Sequence, residues 1–174
     1  ISGSKNASLP ILAATLLSNK KIYLSNLPKV KDIETMIHLL ESLGSKIKFD
    51  KKKLIIDNST QNKKFATYNL VKTMRAGILV LGPLLAKFGS AKVSLPGGCA
   101  IGTRPVNLHL FALKKLGAKI KIKNGYIIAE AKNGLKGAKI TFPNISVGAT
   151  ENALLAAFNA KGKTILNNCA IEPE

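Results

Sequence analysis

The sequence contains no tryptophan, few other aromatic residues and almost no arginine. Aromatic residues make up 5% of the 174 residues, and only two of the 27 basic residues are arginine. Proteins that bind single-stranded nucleic acid stack its bases on aromatic side chains, so this composition argues against such a role although the net charge is +18. Many lysines instead alternate with apolar residues, as in residues 46–48 and 119–123, which is typical of the solvent face of half-buried strands.

The chain also lacks the cysteines for a disulfide framework and an apolar run long enough to span a bilayer. Its two cysteines, Cys99 and Cys169, lie in separate segments, so we expect a reducing compartment, the cytoplasm. The longest apolar stretch, residues 9–17, is too short for a membrane span, and no signal-peptide cleavage site follows it. The chain begins at Ile1 and ends at Glu174, just after a strand-like segment, so we expect it to be part of a longer protein.

The two arginines are informative because lysine serves at every other basic position. Arg75 and Arg104 lie in loop-like segments that lead into helix-like ones. A planar guanidinium can bind a phosphate or carboxylate at two points, whereas lysine acts as a point charge. We therefore expect both arginines to bind an anion, and the alternative is two ordinary surface ion pairs.

A glycine-rich segment around Cys99 is the strongest candidate for a reactive site. Residues 96–105 read Pro-Gly-Gly-Cys-Ala-Ile-Gly-Thr-Arg-Pro, between a predicted strand at 92–96 and a predicted helix at 105–116. Glycines let the backbone fold closely over a small ligand, and a helix N-terminus favours the thiolate form of a nearby cysteine. The segment therefore predicts a reactive thiol beside the cationic Arg104.

The sequence repeats itself with a period of about 71 residues. Strand-like segments begin at Lys21, Lys92 and Lys163, each 71 residues after the one before. The second unit predicts a strand at 65–70, a helix at 76–88, a strand at 92–96, a helix at 105–116, and a hairpin of 118–123 with 126–130 across Asn124-Gly125. Such self-similarity is typical of duplicated supersecondary units. We predict an α/β fold of repeated βαβαββ units at about 1–60, 61–132 and 133–174, of which the last is incomplete.

Polar residues stand at the helix entrances of the three units in the same phase. Ser4, Arg75 and Ser146 are again 71 residues apart. If the units pack around a pseudo-threefold axis, these helix N-termini converge, and their backbone N–H groups would face a shared anion site together with Lys5 and Arg75. Serine is common at any helix start, so the prediction depends on the shared phase.

Several of these segments together resemble the UDP-N-acetylglucosamine enolpyruvyl transferases. The matching segments are residues 3–7, 73–76, 81–84, 94–105, 108–109, 146–150 and 172–174. The shikimate-pathway enolpyruvyl transferases share the repeat but lack the Lys5-Asn6 pair and the cysteine loop. The resemblance implies the enolpyruvyl transferase fold, an inside-out α/β barrel with two lobes of three βαβαββ units each. This chain would be most of one lobe, and the second lobe, which completes the active site, would be missing.

The resemblance also implies a reaction. The sugar 3-hydroxyl of UDP-N-acetylglucosamine would attack C2 of phosphoenolpyruvate while a proton is added at C3, and the intermediate would then expel phosphate. This is the first committed step of peptidoglycan synthesis. Cys99 matches the general acid of the family and the residue that the antibiotic fosfomycin alkylates. No cofactor, metal, nucleic acid or membrane is implied as a partner, and the isolated 174 residues are expected to be inactive.

Substrate-binding roles follow from the same resemblance. Lys5, Arg75 and Arg104 match cationic residues around the phosphates of the two substrates, and Lys31 matches a further lysine there. Asn6 matches a contact to the sugar. The uracil side corresponds to Arg104, Pro105, Val106, Asn107 and Leu108, and the diphosphate side to Ser146, Val147 and Gly148.

A few residues depart from the family pattern or have a plainer explanation. Asn107 stands where aspartate is usual and Asn144 where lysine is common, so a non-catalytic homologue that only binds nucleotide sugar is an alternative. A lysine-rich module for nucleic acid or anionic surfaces is the alternative from another class, with salt-sensitive DNA binding as its signature. We expect His109 to hold the loop rather than carry a proton, and Cys169 to be a small core residue. The catalytic base and a further arginine are expected outside this chain.

Overall fold

Residues 3–51, 53–66, 71, 74–96 and 106–173 are described by a computed structural model of the chain. Three predicted site residues, Cys99, Arg104 and Pro105, lie outside the described residues. The strand predicted at 65–70 is described only at its start. Within these ranges, no helix is both long enough and apolar enough to cross a membrane.

The elements follow the predicted order. The first third of the chain contains α1 (Lys5–Ala14), a 3-10 helix (Thr15–Leu17), β1 (Lys21–Ser25), α2 (Lys31–Ser42), β2 (Lys46–Asp50) and β3 (Lys53–Asp57). The middle contains β4 (Phe65–Ala66), a second 3-10 helix (Arg75–Val80), α3 (Leu81–Phe88), β5 (Ser90–Ser94), α4 (Asn107–Lys115), β6 (Lys119–Lys123) and β7 (Tyr126–Glu130). The last part contains β8 (Lys139–Thr141), α5 (Val147–Ala157) and β9 (Ile165–Asn167).

The strands form three small sheets with related topology. Their orders are β1-β3-β2, β4-β5-β7-β6 and β8-β9. The pairs β4-β5 and β8-β9 are parallel, and the other pairs are antiparallel. The lysines of β2 and β6 are exposed, as their alternation predicts. The sheets thus repeat the predicted order of elements, while the exact boundaries between units stay a prediction.

The pairing of β5 with its hairpin is offset by two residues from that of β1, when the two strands are aligned by the 71-residue repeat. In the first sheet Lys21 pairs with Asp57, and in the second Ser90, not Lys92, pairs with the corresponding Glu130. Pairing is set by the hairpin against which each strand lies, and a shift of two residues keeps the same side chains facing the core. The 71-residue spacing therefore locates the strand, and its pairing partners come from the structure.

The hairpin between β6 and β7 has the turn that its sequence predicts. Asn124 and Gly125 have φ values of +50° and +75°, which is the conformation of the two-residue turn favoured between twisted antiparallel strands. Gly117, with φ of +95°, ends α4 as predicted. These turns bring β6 back against β7, so that Ile127 and Ala129 of β7 are buried.

The helix predicted at 76–88 is divided in two. Residues Arg75–Val80 form a 3-10 helix, and only Leu81–Phe88 is α-helical. In a continuous α-helix the N–H of Gly82 would donate to the carbonyl oxygen of Ile78. Here the side-chain amide of Asn152 stands between them: its oxygen accepts from Gly82 N at 2.8 Å, and its nitrogen donates to Ile78 O at 3.2 Å.

The first helices of the three sections share one hydrophobic core. The 3-10 helix Arg75–Val80 packs against both α1 and α5, and α3 packs against α5. Of the second helices, α2 packs against α1 and α4 packs against α5. Four of the five buried positions of α2, namely Ile33, Met36, Ile37 and Leu40, recur at helical spacing, so one face of this helix turns inward. The fifth buried position is Leu39.

Candidate functional site

The N-termini of α1 and α2 lie side by side at one end of the molecule. The amine of Lys5, the first residue of α1, is 3.0 Å from a carboxylate oxygen of Asp32 in the first turn of α2. Lys5, Asn6 and the neighbouring Lys31 are exposed. Three predicted phosphate and sugar ligands therefore share one surface, and Asp32, which the sequence did not indicate, holds the Lys5 side chain.

A second group of predicted ligands meets around His109. The imidazole of His109 in α4 packs against Gly148 in the first turn of α5, where a Cβ atom added to the glycine would lie 3.2 Å from Cε1. Arg75 is close enough for its charge to act on His109. His109 thus joins the helix starts that carry Arg75, Val106–Leu108 and Ser146–Gly148, although the sequence indicated it only as a structural residue.

The two groups are connected through the core, because α1 packs against the 3-10 helix that Arg75 begins. Within the second group Asn107 and Val147 are exposed, whereas Val106, Leu108, Ser146 and Gly148 are partly buried. The repeat phase predicts that the helix starts at Ser4, Arg75 and Ser146 converge. The second group brings together the starts that carry Arg75 and Ser146, whereas the start of α1 adjoins that of α2. The roles of the individual residues stay predictions.

The starts of α1 and α5 are capped in the same way. The hydroxyl of Ser4 accepts from Ala7 N at 3.3 Å, and that of Ser146 accepts from Ala149 N at 3.4 Å. Ser8 and Thr150 then donate to the carbonyl oxygens of the two cap residues. In such a cap the first N–H groups of the helix have no partner within the helix. These N–H groups and the helix dipole favour an anion at the start of α1 and at the start of α5.

The electrostatics around the helix starts are set by cations and by a neutral histidine. Burial, followed by the charge of Arg75, lowers the pKa of His109 to about 4. His109 is therefore uncharged near neutral pH and acts as a hydrogen-bonding group. Among the residues that the structure describes, no three His, Cys, Asp or Glu side chains lie together as a metal-binding group.

Asn152 is the functional candidate that the sequence missed. It is fully buried in α5, one turn after Gly148, and its amide nitrogen lies 3.1 Å from Nδ1 of His109. The only signal in the sequence is an amide among the apolar residues of this helix. Cys169, in contrast, lies against the edge of the core with its sulfur 3.8 Å from the carbonyl oxygen of Leu166.

Comparison with known proteins identifies the family. The sequence model of EPSP synthase (3-phosphoshikimate 1-carboxyvinyltransferase) matches residues 1–174. The chain belongs to this family. It is 75% identical over 174 residues to the UDP-N-acetylglucosamine 1-carboxyvinyltransferase of Pelagibacter ubique, and 55% identical to that of Campylobacter fetus. It covers 42% of the length of each, so it corresponds to part of these EPSP synthase family proteins.

Solved structures of the EPSP synthase family have the same fold. The chain aligns with the enolpyruvyl transferase NikO from Streptomyces tendae at a TM-score of 0.83 and 19% identity, covering 99% of this chain and 40% of NikO. It aligns with EPSP synthase from Acinetobacter baumannii at a TM-score of 0.74 and 18% identity, covering 40% of that chain. The predicted enolpyruvyl transferase fold and the predicted family resemblance are therefore confirmed.

Proposed function

We propose that the chain is part of a cytoplasmic UDP-N-acetylglucosamine 1-carboxyvinyltransferase. The enzyme transfers the enolpyruvyl group of phosphoenolpyruvate to the 3-hydroxyl of the sugar and releases phosphate, which begins peptidoglycan synthesis. The observation that carries the proposal is the 75% identity, over the whole chain, to a relative of that name. The converging helix starts with Lys5 and Arg75 support it, since both substrates are anions.

Different helix starts bind different parts of the two substrates. Ser146, Val147 and Gly148 bind the diphosphate of the nucleotide, because the start of α5 offers unpaired N–H groups. Arg104, Pro105, Val106, Asn107 and Leu108 enclose the uracil side, and Asn6 binds the sugar. Lys5, Lys31 and Arg75 neutralise phosphate charge, with the Lys5 amine held by Asp32 at 3.0 Å.

Cys99 supplies the proton in the chemical step. The sugar 3-oxygen forms a bond to C2 of phosphoenolpyruvate and passes its proton to a base outside this chain. The thiol of Cys99 gives a proton to C3, which becomes a methyl group in the tetrahedral intermediate. In the second step C3 returns a proton to the Cys99 thiolate, the double bond re-forms, and the C2–O bond to phosphate breaks. The 174 residues alone are expected not to turn over, because that base and the covering lobe lie elsewhere.

The experiment that tests the function uses the full-length enzyme with phosphoenolpyruvate and UDP-N-acetylglucosamine. Phosphate release should be observed, and fosfomycin added with the nucleotide should alkylate Cys99 and stop it. Cys99→Asp should keep activity and lose fosfomycin sensitivity, since a carboxylic acid can still donate the proton. Cys169→Ser is the matched control and should behave as the wild type. Alkylation of Cys169 with Cys99 untouched would contradict the assignment.

A non-catalytic homologue that only binds nucleotide sugar is the second candidate. Asn107 favours it, because this exposed residue begins α4 where the family pattern has aspartate. Calorimetry with UDP-N-acetylglucosamine separates the candidates: this homologue would bind the nucleotide sugar without phosphate release. Asn107→Asp would then restore turnover only if the lack of an aspartate at this position is what prevents catalysis.

A further inference from the structure

The amide of Asn152 makes three hydrogen bonds that leave it one orientation. Its oxygen accepts from Gly82 N at 2.8 Å, and its nitrogen donates to Ile78 O at 3.2 Å. A backbone N–H can only donate and a carbonyl oxygen can only accept. Exchanging the amide oxygen and nitrogen would therefore break both contacts in a site where the side chain is fully buried, and the amide is locked.

The locked amide determines the tautomer of His109. The second hydrogen on the Asn152 nitrogen is directed at Nδ1 of His109, 3.1 Å away. Nδ1 must therefore be the acceptor, and in a neutral imidazole the hydrogen then resides on Nε2. Burial and the neighbouring Arg75 charge disfavour a second proton on the ring. The ring is thus a donor at Nε2 alone.

The donor end of the imidazole lies beside the start of α5. A Cβ atom added to Gly148 would be 3.5 Å from Nε2. The Nε2–H group is therefore next to the helix turn whose first N–H groups have no partner within the helix. Because Gly148 has no side chain, nothing of its own separates this turn from the imidazole.

We propose that Asn152 is a positioning residue that holds His109 as the Nε2–H tautomer, and that His109 donates this hydrogen to a phosphoryl oxygen of the substrate nucleotide. The anion sits at the start of α5, where Nε2–H adds to the donors of the helix. This assignment rests on the proposed function, which places the diphosphate there. It converts a residue that the sequence indicated as structural into a ligand-binding group.

The tautomer is tested directly by the nitrogen-15 NMR signals of the His109 ring in the full-length enzyme without ligand. We expect Nδ1 to be unprotonated and Nε2 protonated near neutral pH. In Asn152→Asp the new carboxylate can still accept from Gly82 N but cannot donate to Nδ1, so the ring proton should move to Nδ1. A wild-type ring protonated on Nδ1 would overturn the positioning role, whether or not the variant folds.

The ligand contact is tested with two variants of His109 that divide the functions of its two nitrogens. Asparagine can place an acceptor near Nδ1 and no donor near Nε2, whereas glutamine can place an amide donor near Nε2. With UDP as the calorimetric probe, His109→Asn should weaken binding about ten- to a hundredfold, the loss of one hydrogen bond to a charged group. His109→Gln should recover most of that loss, and uridine, which has no phosphate, should not distinguish the variants.

The outcomes separate this inference from the proposed function. Equal UDP affinity in wild type and His109→Asn would overturn the contact while phosphate release still supports the function. Equal losses in both His109 variants would assign the residue a structural role only and also overturn the contact. If wild type bound no UDP, the proposed function would fail, and the ligand contact with it, whereas the NMR result would still decide the tautomer.

Discussion

At the scale of single residues, His109 shows how burial, charge and hydrogen bonding act on one group. Its Nδ1 accepts from a buried amide, its ring covers Gly148, and the positive Arg75 stands nearby. Burial and the Arg75 charge both favour the neutral ring. A side chain that usually changes charge close to physiological pH is therefore kept uncharged throughout the neutral range.

The lowered pKa of His109 predicts that acid destabilises the fold. The pKa falls from 6.5 to about 4 on folding, so between these values the unfolded chain binds a proton that the folded one excludes. The free energy of unfolding should decrease as the pH falls through this window, by at most about 1.4 kcal/mol per pH unit. Above pH 6.5 this contribution is constant. Urea unfolding of the full-length enzyme at several pH values across this window measures the decrease. His109→Gln should remove it, so an equal pH dependence of the free energy of unfolding in wild type and variant would contradict the prediction.

The scarcity of arginine predicts that Arg75 and Arg104 cannot be replaced by lysine. Arg75→Lys and Arg104→Lys should each lower kcat/KM about ten- to a hundredfold, because a guanidinium that grips phosphate at two points is lost. Steady-state kinetics of the full-length variants give this ratio. Lys121→Arg, on the exposed face of β6, is the control and should leave the ratio unchanged. Wild-type kinetics in both lysine variants would refute the two-point contact.

At the scale of elements, the site depends on a close crossing of α3 and α5. Gly82 and Pro83 lie in the first turn of α3, and α5 approaches so closely that a Cβ atom on Gly82 would collide with both the side-chain and main-chain oxygens of Asn152. Pro83 has no N–H to continue the preceding helix. The break in the helix and the close approach together let one asparagine join α3, α5 and α4.

This crossing predicts that an added methyl group at Gly82 is costly. Gly82→Ala should destabilise the enzyme by about 1–3 kcal/mol, because the helices must separate or Asn152 must leave its hydrogen bonds. Gly77→Ala is the matched comparison: its methyl group would have its nearest neighbours at 3.3 Å, so we expect a smaller loss. Thermal unfolding of the two variants provides the test, and a Gly82 variant as stable as the Gly77 variant would argue against a locked crossing.

At the scale of the whole molecule, an apolar groove remains between α1 with its following 3-10 helix and α5. It is lined by Ala14, Leu17, Ser18, Leu154, Leu155 and Phe158. Phe158 is 73% exposed and Leu154 57%. Elsewhere α2 covers α1 and α4 covers α5, whereas no helix in the described part of the chain covers this groove.

The open groove predicts that the 174-residue polypeptide self-associates. Exposed apolar surface of this kind favours aggregation, so Phe158→Lys should lower the association measured by sedimentation velocity. Phe49→Lys is the matched control, since Phe49 is also 73% exposed but lies in β2, away from the groove. Similar behaviour of both variants would show that general charge, rather than the groove, controls association.

The sequence by itself determined the features that depend on neighbours a few positions away. The turn at Asn124-Gly125, the serine caps at Ser4 and Ser146, and the order of the elements were all predictable, because turns and caps are made by adjacent residues. The repeat phase also predicted that helix starts meet, and the starts that carry Arg75 and Ser146 do so through His109. Similarity to family members added the expected roles of residues such as Cys99 and Arg104, which lie outside the described residues.

Only the tertiary structure decided the features that join residues far apart in the chain. The register of β5, the division of the helix at 75–88 and the network of Asn152 with His109 all depend on partners from other elements. Asn152 lies 70 positions from Gly82 and 43 from His109. A buried amide must satisfy its hydrogen bonds wherever packing puts it, so its partners, and the tautomer they impose, follow from the fold and not from local sequence.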